Sequence, residues 1–460
     1  MTSPPPAVLP DDRLERSLPE GKPLFSLSEA RAEAERCLYC SDAPCIQACP
    51  TEIDIPTFIK KIASDNVRGS AMTIFDQNVL GYSCSRVCPV EVLCEGSCVY
   101  TAWQHKPIAI GRLQRFATQK ATEEHGPGSK RPLFTAPAKR SGKKVALVGG
   151  GPASLACAAY LAQAGHTAVV YERGVFPGGL NTTGVAPYKL HAEDALHEVE
   201  FVKSLGVEIR TGVEVGKDVT GKQLTDEYDA VYLGIGLGAD SKLGVPGEDG
   251  PGVVGAVRWI EDMKLAAAPK GAAPKLGRVI VVGGGNTAID VVRECAKLGA
   301  EEVTLVYRRS EKEMSAYVHE TEGAKKDAVR IATNLQPVAV VRDASGKVTA
   351  LEVARAEGGK PVAGTERELP CDLVVLAIGQ AKIKALAAEF PGVTLAPNGT
   401  VVVDAKTGRT GHPKVYAGGD CVNGGKEVVN AVAHGRDTAR HLDAVWSGRN
   451  ESKEAKAAHG

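Results

Sequence analysis

Eight cysteines fall into two groups of four, Cys37-x2-Cys40-x4-Cys45-x3-Cys49-Pro50 and Cys84-x3-Cys88-Pro89-x4-Cys94-x3-Cys98. Thiolates at such short intervals can converge on a metal centre without long ordered loops. Two quartets match the demand of two 4Fe-4S cubanes, one ligand for each iron. Structural zinc also takes cysteine quartets, but these spacings lack the paired CxxC knuckles of zinc ribbons. Disulfides rank lower still, because the chain is large and its first residues, MTSPPPAVLPDD, have neither the basic start nor the apolar run of an export signal. Cys157, Cys295, Cys371 and Cys421 stand apart from the groups among apolar or small residues, and core packing is expected for each.

Glycine turns carry a second kind of chemistry. The segment VALVGGGPASLACAAYLAQAGHTAVVYER holds Gly149-x-Gly151-x-x-Ser154 between an apolar run and a helical run, and Glu172 ends the next apolar run. This is a dinucleotide fingerprint in all but its third glycine. Gly149 allows the tight turn, Gly151 lets backbone N–H groups approach a pyrophosphate, and the helix N-terminus adds positive potential. Ser154 is small enough to keep helix against strand, and Glu172 can accept hydrogen bonds from ribose hydroxyls. Pro177-Gly178-Gly179 is a further place where backbone can lie close to the cofactor, and FAD is the dinucleotide expected here.

A second fingerprint, VIVVGGGNTAID, holds Gly283-x-Gly285-Asn286-x-Ala288, and the following strand ends in Tyr307-Arg308-Arg309 with no acid. An acidic residue would repel a 2′-phosphate, whereas paired guanidinium groups bind it through forked, charge-assisted hydrogen bonds. NADP(H) is therefore expected in preference to NAD(H), with solvated arginines as the plain alternative. Near the C-terminus, Val415-Tyr416-Ala417-Gly418-Gly419-Asp420 reads as a strand entering another glycine turn, where Asp420 can accept from the ribityl hydroxyls of FAD. Hydride transfer needs no protein acid or base, so no catalytic side chain is assigned.

These groups need elements to hold them. Ser26-Leu27-Ser28-Glu29 is a capping box that opens a helix toward Arg36, and the stretch between Cys37 and Cys98 shows short helical segments with no alternating strand. Residues 121–142 have the Gly, Pro and Lys content of a linker. Beyond them, apolar β runs alternate with helical runs, and two glycine fingerprints lie about 130 residues apart, the texture of duplicated α/β nucleotide-binding units. DAVYLGIG and DLVVLAIG are strands ending in glycine where the chain would leave and re-enter the first unit. The expected α/β organisation is a helical cluster domain over 1–120 and the linker. A flavin domain follows in two parts, 143–240 and 379–460, with a nicotinamide domain at 241–378 between them; the final SGRNESKEAKAAHG should fray. Lysine plus arginine and aspartate plus glutamate both number 55, so no net field draws the chain to nucleic acid or an anionic membrane. No run of eighteen apolar residues occurs, and a cytoplasmic location is expected.

With these motifs assembled, residues from about 27 to 440 resemble the glutamate synthase small subunit and, more closely, the FAD and iron–sulfur portion of dihydropyrimidine dehydrogenase. The likeness rests on CLYCSDAPCIQACP, CSRVCPVEVLCEGSC, PIAIGRLQRF, VALVGGGPAS, VVGGGNTAID, VYRR and VYAGGD. It implies one cluster on Cys37, Cys40, Cys45 and Cys98. It also implies a second on Cys49, Cys88, Cys94 and the side-chain oxygen of Gln114, leaving Cys84 spare although spacing alone would have made it the eighth ligand. Gln114 matches the pyrimidine enzyme, where glutamate synthase small subunits tend to carry Glu. GGLNTTGVAPYKLH departs from the usual family segment, with Tyr188 and Lys189 keeping its aromatic and basic character. The resemblance implies an electron-transfer subunit working with an FMN-containing pyrimidine-reducing subunit, or otherwise with a glutamate synthase large subunit or ferredoxin. A non-catalytic, zinc-bearing nucleotide-binding module is the alternative of another class. The two nucleotide folds and cluster domain consume these residues, leaving no room for the roughly 250-residue barrel that would hold a pyrimidine.

Overall fold

The computed structural model describes residues 8–135, 137–267 and 276–449, so most of the C-terminal stretch expected to fray lies outside the described residues. The N-terminal part is helical. Ser26 caps the helix Leu27–Glu35, with Glu29 returning to the Ser26 N–H in a complete capping box. Asp54 caps Ile55–Ala63, whose Ile55, Phe58, Ile59 and Ile62 form a buried stripe. Helix Ile110–His125 closes the domain and runs into the segment read as linker, because Ala121 and Thr122 still face the core.

Two five-stranded parallel sheets follow. The first runs Val415–Ala417, Ala230–Leu233, Lys144–Val148, Thr167–Glu172, Glu208–Thr211. The second runs Val253–Gly255, Leu373–Leu376, Arg278–Val282, Glu302–Tyr307, Arg330–Thr333. In each, the strand before the fingerprint is central and is buried after its first residue, as expected of parallel strands covered on both faces. One face of the second sheet is covered by antiparallel strands Leu335–Arg342 and Val348–Glu357 through Ile280, Val306, Leu351 and Val353. The chain leaves the first sheet after Leu233 and returns at Val415, and the two crossing segments pair with each other, Gly238 N–H donating to Ala381 O at 2.7 Å and Ser241 N–H to Gly379 O at 2.9 Å.

The cluster domain shares one apolar core with the first sheet's helices. Phe75 and Phe134 meet Phe201 at ring separations of 5.5 and 5.9 Å. Polar contacts fix the register: one oxygen of buried Glu198 accepts from Tyr82 N–H at 3.1 Å and Ser83 N–H at 3.2 Å. Buried Arg436 donates to Thr51 O at 2.5 Å and to Gln77 Oε1 at 3.1 Å. Among the described residues no helix is long and apolar enough to cross a membrane.

Candidate functional site

The first fingerprint turn follows the strand Lys144–Val148, and Gly151 caps the helix Pro152–Gln163. Gly149 has φ +90°, and a Cβ there would lie 2.7 Å from Gly234 O, so only glycine fits. Gly151 is different: an added Cβ would meet nothing closer than 3.8 Å, which leaves a backbone cradle open. Gly149 and Glu172 line a pocket of about 330 Å³ with Tyr171, Arg173, Val213, Ile235 and Leu386. The Glu172 carboxylate accepts from Gly150 N–H and Gly174 N–H, both at 2.6 Å, so it braces the turn while standing on the pocket wall. Gly179 packs its backbone on Gly151, where a Cβ would lie 2.7 Å from the Gly151 Cα. Ser154 is fully buried, with its hydroxyl unpartnered against Gly234.

The third glycine turn reaches the same helix from the other side. Gly419 lies over Ala153 and donates its N–H to His434 Nδ1 at 3.0 Å. Asp420 opens the short helix Asp420–Asn423 and accepts from Lys426 N–H at 3.2 Å, and burial pushes its carboxyl above the usual range. Glu172 lines the cavity beside Gly149 and Asp420 does not; the two turns meet through Gly419, which lies on Ala153 in the first turn of the fingerprint helix. Asn181 Oδ1 and the Tyr232 hydroxyl, buried without partners near these turns, had no sequence signal beyond lying in or next to a motif. The open glycine cradle, the cavity beside Glu172 and the orphaned polar atoms together suit a dinucleotide such as FAD.

The second fingerprint opens on a cleft of about 670 Å³ lined by Gly283, Gly285, Thr287, Arg308 and Arg309. A Cβ at Gly285 would meet only Ser315 Oγ, at 3.5 Å, so the backbone is exposed to a ligand at the N-terminus of helix Asn286–Lys297. Ala288 is buried and keeps helix on strand. Asn286 turns away from the cleft lining, its Oδ1 accepting from Tyr317 N–H at 2.9 Å. Tyr317 in turn donates its hydroxyl to Glu427 at 2.8 Å, linking this site to the helix Val428–Ser447. Gln380, Asp240 and Gly425 also line the cleft and were missed in the sequence; Gln380 directly follows the glycine that ends DLVVLAIG.

The thiols gather in two pockets. Cys37, Cys40, Cys45 and Cys98 surround one, with Ile55, Ile59, Ile108 and Ile110 as its apolar wall. Cys49, Cys88 and Cys94 line the other together with both Cys84 and Gln114. The Gln114 amide N–H donates to Gly81 O at 2.8 Å, and the side chain lines the pocket with no hydrogen bond to its Oε1 among the described residues. Cys84 is buried beside the Cys88 thiol. Burial pushes the Cys45 thiol up to about 12 and raises Cys94 as well, while the hydrogen bond with Cys84, and then burial, raises Cys88. Such thiols ionise when a bound metal supplies the positive charge. Among the described residues no three Cys, His, Asp or Glu side chains converge as tightly as one metal ion requires. A cubane spreads its ligands wider than zinc does and suits this arrangement. Val429 closes the second pocket, so that site abuts the flavin-side helix, whereas the first is lined by cluster-domain residues.

Two glycine-turn nucleotide sites on parallel sheets, with a helical domain holding two cysteine pockets, define a nicotinamide-linked flavin and iron–sulfur oxidoreductase. The chain belongs to the pyridine nucleotide-disulphide oxidoreductase family, which matches residues 143–435, and residues 15–126 match dihydropyrimidine dehydrogenase domain II, 4Fe-4S cluster. It is 34% identical over 440 residues to the glutamate synthase [NADPH] small chain of Escherichia coli K12, covering 90% of this chain and 91% of the relative. It is 35% identical over 436 residues to the NAD-dependent dihydropyrimidine dehydrogenase subunit PreT of the same organism, covering 94% and 98%. The nucleotide-binding part has the fold of T. acidophilum thioredoxin reductase, with TM-score 0.54 at 22% identity over 66% of this chain and 99% of that one. The chain is an oxidoreductase whose cofactors are FAD, a nicotinamide dinucleotide and 4Fe-4S clusters.

Proposed function

We propose that this chain is the electron-input subunit of a dihydropyrimidine dehydrogenase, taking electrons from NADPH and passing them to an FMN-containing pyrimidine-reducing partner. The observation that carries this reading is Gln114, presented to the second pocket in a family whose two relatives above are equally similar overall. In this reading Cys37, Cys40, Cys45 and Cys98 hold one cluster, and Cys49, Cys88, Cys94 and Gln114 hold the other.

FAD, when bound, converts a two-electron hydride donor into single electrons for the clusters. The chain positions and insulates. Gly149, Gly151, Glu172, Gly179, Gly419 and Asp420 cradle the flavin dinucleotide, with Ser154 keeping helix against strand, and Gly283, Gly285, Arg308 and Arg309 orient NADPH, with Asn286 and Ala288 holding the helix and loop behind the turn. Val429 puts the second pocket against the flavin-side helix, so a cluster held in the first pocket would be the one placed to serve a partner. There Cys37, Cys40 and Cys45 are only half-buried; Leu38 and Tyr39, between the first two, stand 46% and 37% exposed, and Trp103, at the end of the short helix after Cys98, stands 58% exposed. An apolar face at the outer cluster suits docking by shape and contact, which moderate salt would leave intact. The proposed location is cytoplasmic.

The test is an anaerobic assay with NADPH and uracil, with and without a co-expressed FMN-containing partner. The chain alone should reduce ferricyanide but not uracil, and the pair should form dihydrouracil. Dihydrouracil from the single chain would overturn the subunit reading, and failure of the pair would move the assignment to glutamate synthase or ferredoxin-linked chemistry.

A further inference from the structure

Lys264 lies at the end of helix Ala256–Leu265 in the nicotinamide-side domain, and it is fully buried. Its ammonium donates to three main-chain carbonyls of the other domain, Asn181 O at 2.9 Å, Val185 O at 2.9 Å and Leu190 O at 2.8 Å. Burying a lysine is costly, and a methionine would fill the same space without that cost. What a methionine lacks is three donors on one atom, which is what three converging carbonyls require. Burial pushes the amine down to about 8, and the fields of Glu15 and Asp194 counter that shift.

The caged segment is the one that follows Pro177-Gly178-Gly179. Its first residues bear directly on the flavin-side fingerprint: Gly178 N–H donates to Gly150 O at 2.8 Å, and Gly179 packs on Gly151. Its last residues are tied to the nicotinamide-side domain by a second lysine, Lys189, which pairs with Asp290 at 2.8 Å and Glu320 at 2.7 Å. Tyr188 adds a 2.6 Å hydrogen bond to Asp290. One segment therefore touches the flavin turn at one end and is held by the opposite domain along the rest of its length.

We propose that Lys264 is an interdomain positioning residue: its ammonium fixes residues 181–190 against the flavin-side glycine turn and so sets the orientation in which the nicotinamide-side domain faces the flavin. This rests on the reading that FAD lies on the Gly149–Gly151 turn. Since misplacement of reacting groups by about 1 Å costs about a hundredfold in rate, loss of the cage should slow hydride transfer about ten- to hundredfold. Binding of the coenzyme at Gly283 and Arg308 should be unaffected.

The experiment uses full-length Lys264→Ala holoprotein, with flavin bleaching by NADPH followed anaerobically by stopped flow, and amide exchange of peptides covering 181–190 followed by mass spectrometry. Expected are a ten- to hundredfold slower hydride transfer with unchanged coenzyme affinity, faster exchange confined to 181–190, and recovery of both with n-propylammonium but not tetramethylammonium. An unchanged rate and exchange pattern would overturn the proposal, as would a loss that spreads through both sheets or ignores n-propylammonium. If Lys264→Ala does not fold, Lys264→Gln, which keeps a donor and most of the length, should show the same localised change in smaller measure, and its absence counts against the cage. A wild-type protein without flavin would refute the FAD reading, while exchange at 181–190 would still report on Lys264.

Discussion

Coenzyme choice is the property most directly attached to two side chains. Arg308 and Arg309 line the nicotinamide-side cleft, and neither makes an ion pair among the described residues; Arg309 stands over the Tyr307 ring at 5.7 Å and lies within the field of Glu313. Both guanidinium groups are thus available to a 2′-phosphate. A charge-assisted hydrogen bond is worth about 1.5–3 kcal/mol, and exposed arms belong at the lower end of that range. Arg308→Ala and Arg309→Ala should therefore each weaken NADPH about tenfold, the double variant about a hundredfold, with NADH nearly unchanged. The relatives do not decide this in advance, since one is named for NADPH and the other for NAD. Anaerobic titration of each oxidised protein with NADP⁺ and NAD⁺, followed by flavin absorbance, gives both affinities for wild type and every variant. Equal loss for both nucleotides, or a wild-type preference for NAD, would show that these arginines do not read the phosphate.

Two further perturbations separate rival readings of the cluster domain. Cys45→Ser should remove one cluster, whereas Cys84→Ala should remove none, and loss of iron and of a cluster signal on changing Cys84 would restore the all-cysteine quartet. Glu198, buried beneath the cluster domain, is pushed from the ordinary 4.5 up to about 7. Between those pH values the folded chain keeps a proton that the unfolded chain has lost, so stability falls as pH rises toward 7, by up to about 3 kcal/mol. Glu198→Gln keeps an oxygen to accept from Tyr82 and Ser83 and should flatten that slope in melts from pH 5 to 8; an unchanged slope would refute the assignment.

The nucleotide sheets were legible because each fingerprint couples a strand, a glycine turn and a helix in one short segment, as at Val145–Ser154 and Val279–Ala288. The return to the first sheet was legible in VYAGGD, where Gly418 and Gly419 follow a buried strand. Spacing alone could not say which thiols share a pocket: Cys98 joins Cys37, Cys40 and Cys45 only because the helices Leu27–Glu35, Ile55–Ala63 and Ile110–His125 fold its loop back onto theirs. The helix through His125 was hidden by its polar exposed face, since only Ala121 and Thr122 mark its buried side near the end. Lys264 and Tyr317 carried no signal at all. A lysine in an amphipathic helix reads as solvated until the carbonyls that surround it, some 80 residues earlier, are in place.

Metal and sulfide analysis of anaerobically purified chain tests the account most directly. Two cubanes predict about eight irons and about eight acid-labile sulfides per chain, together with one FAD. Zinc in place of iron, or iron for a single cluster, would contradict it.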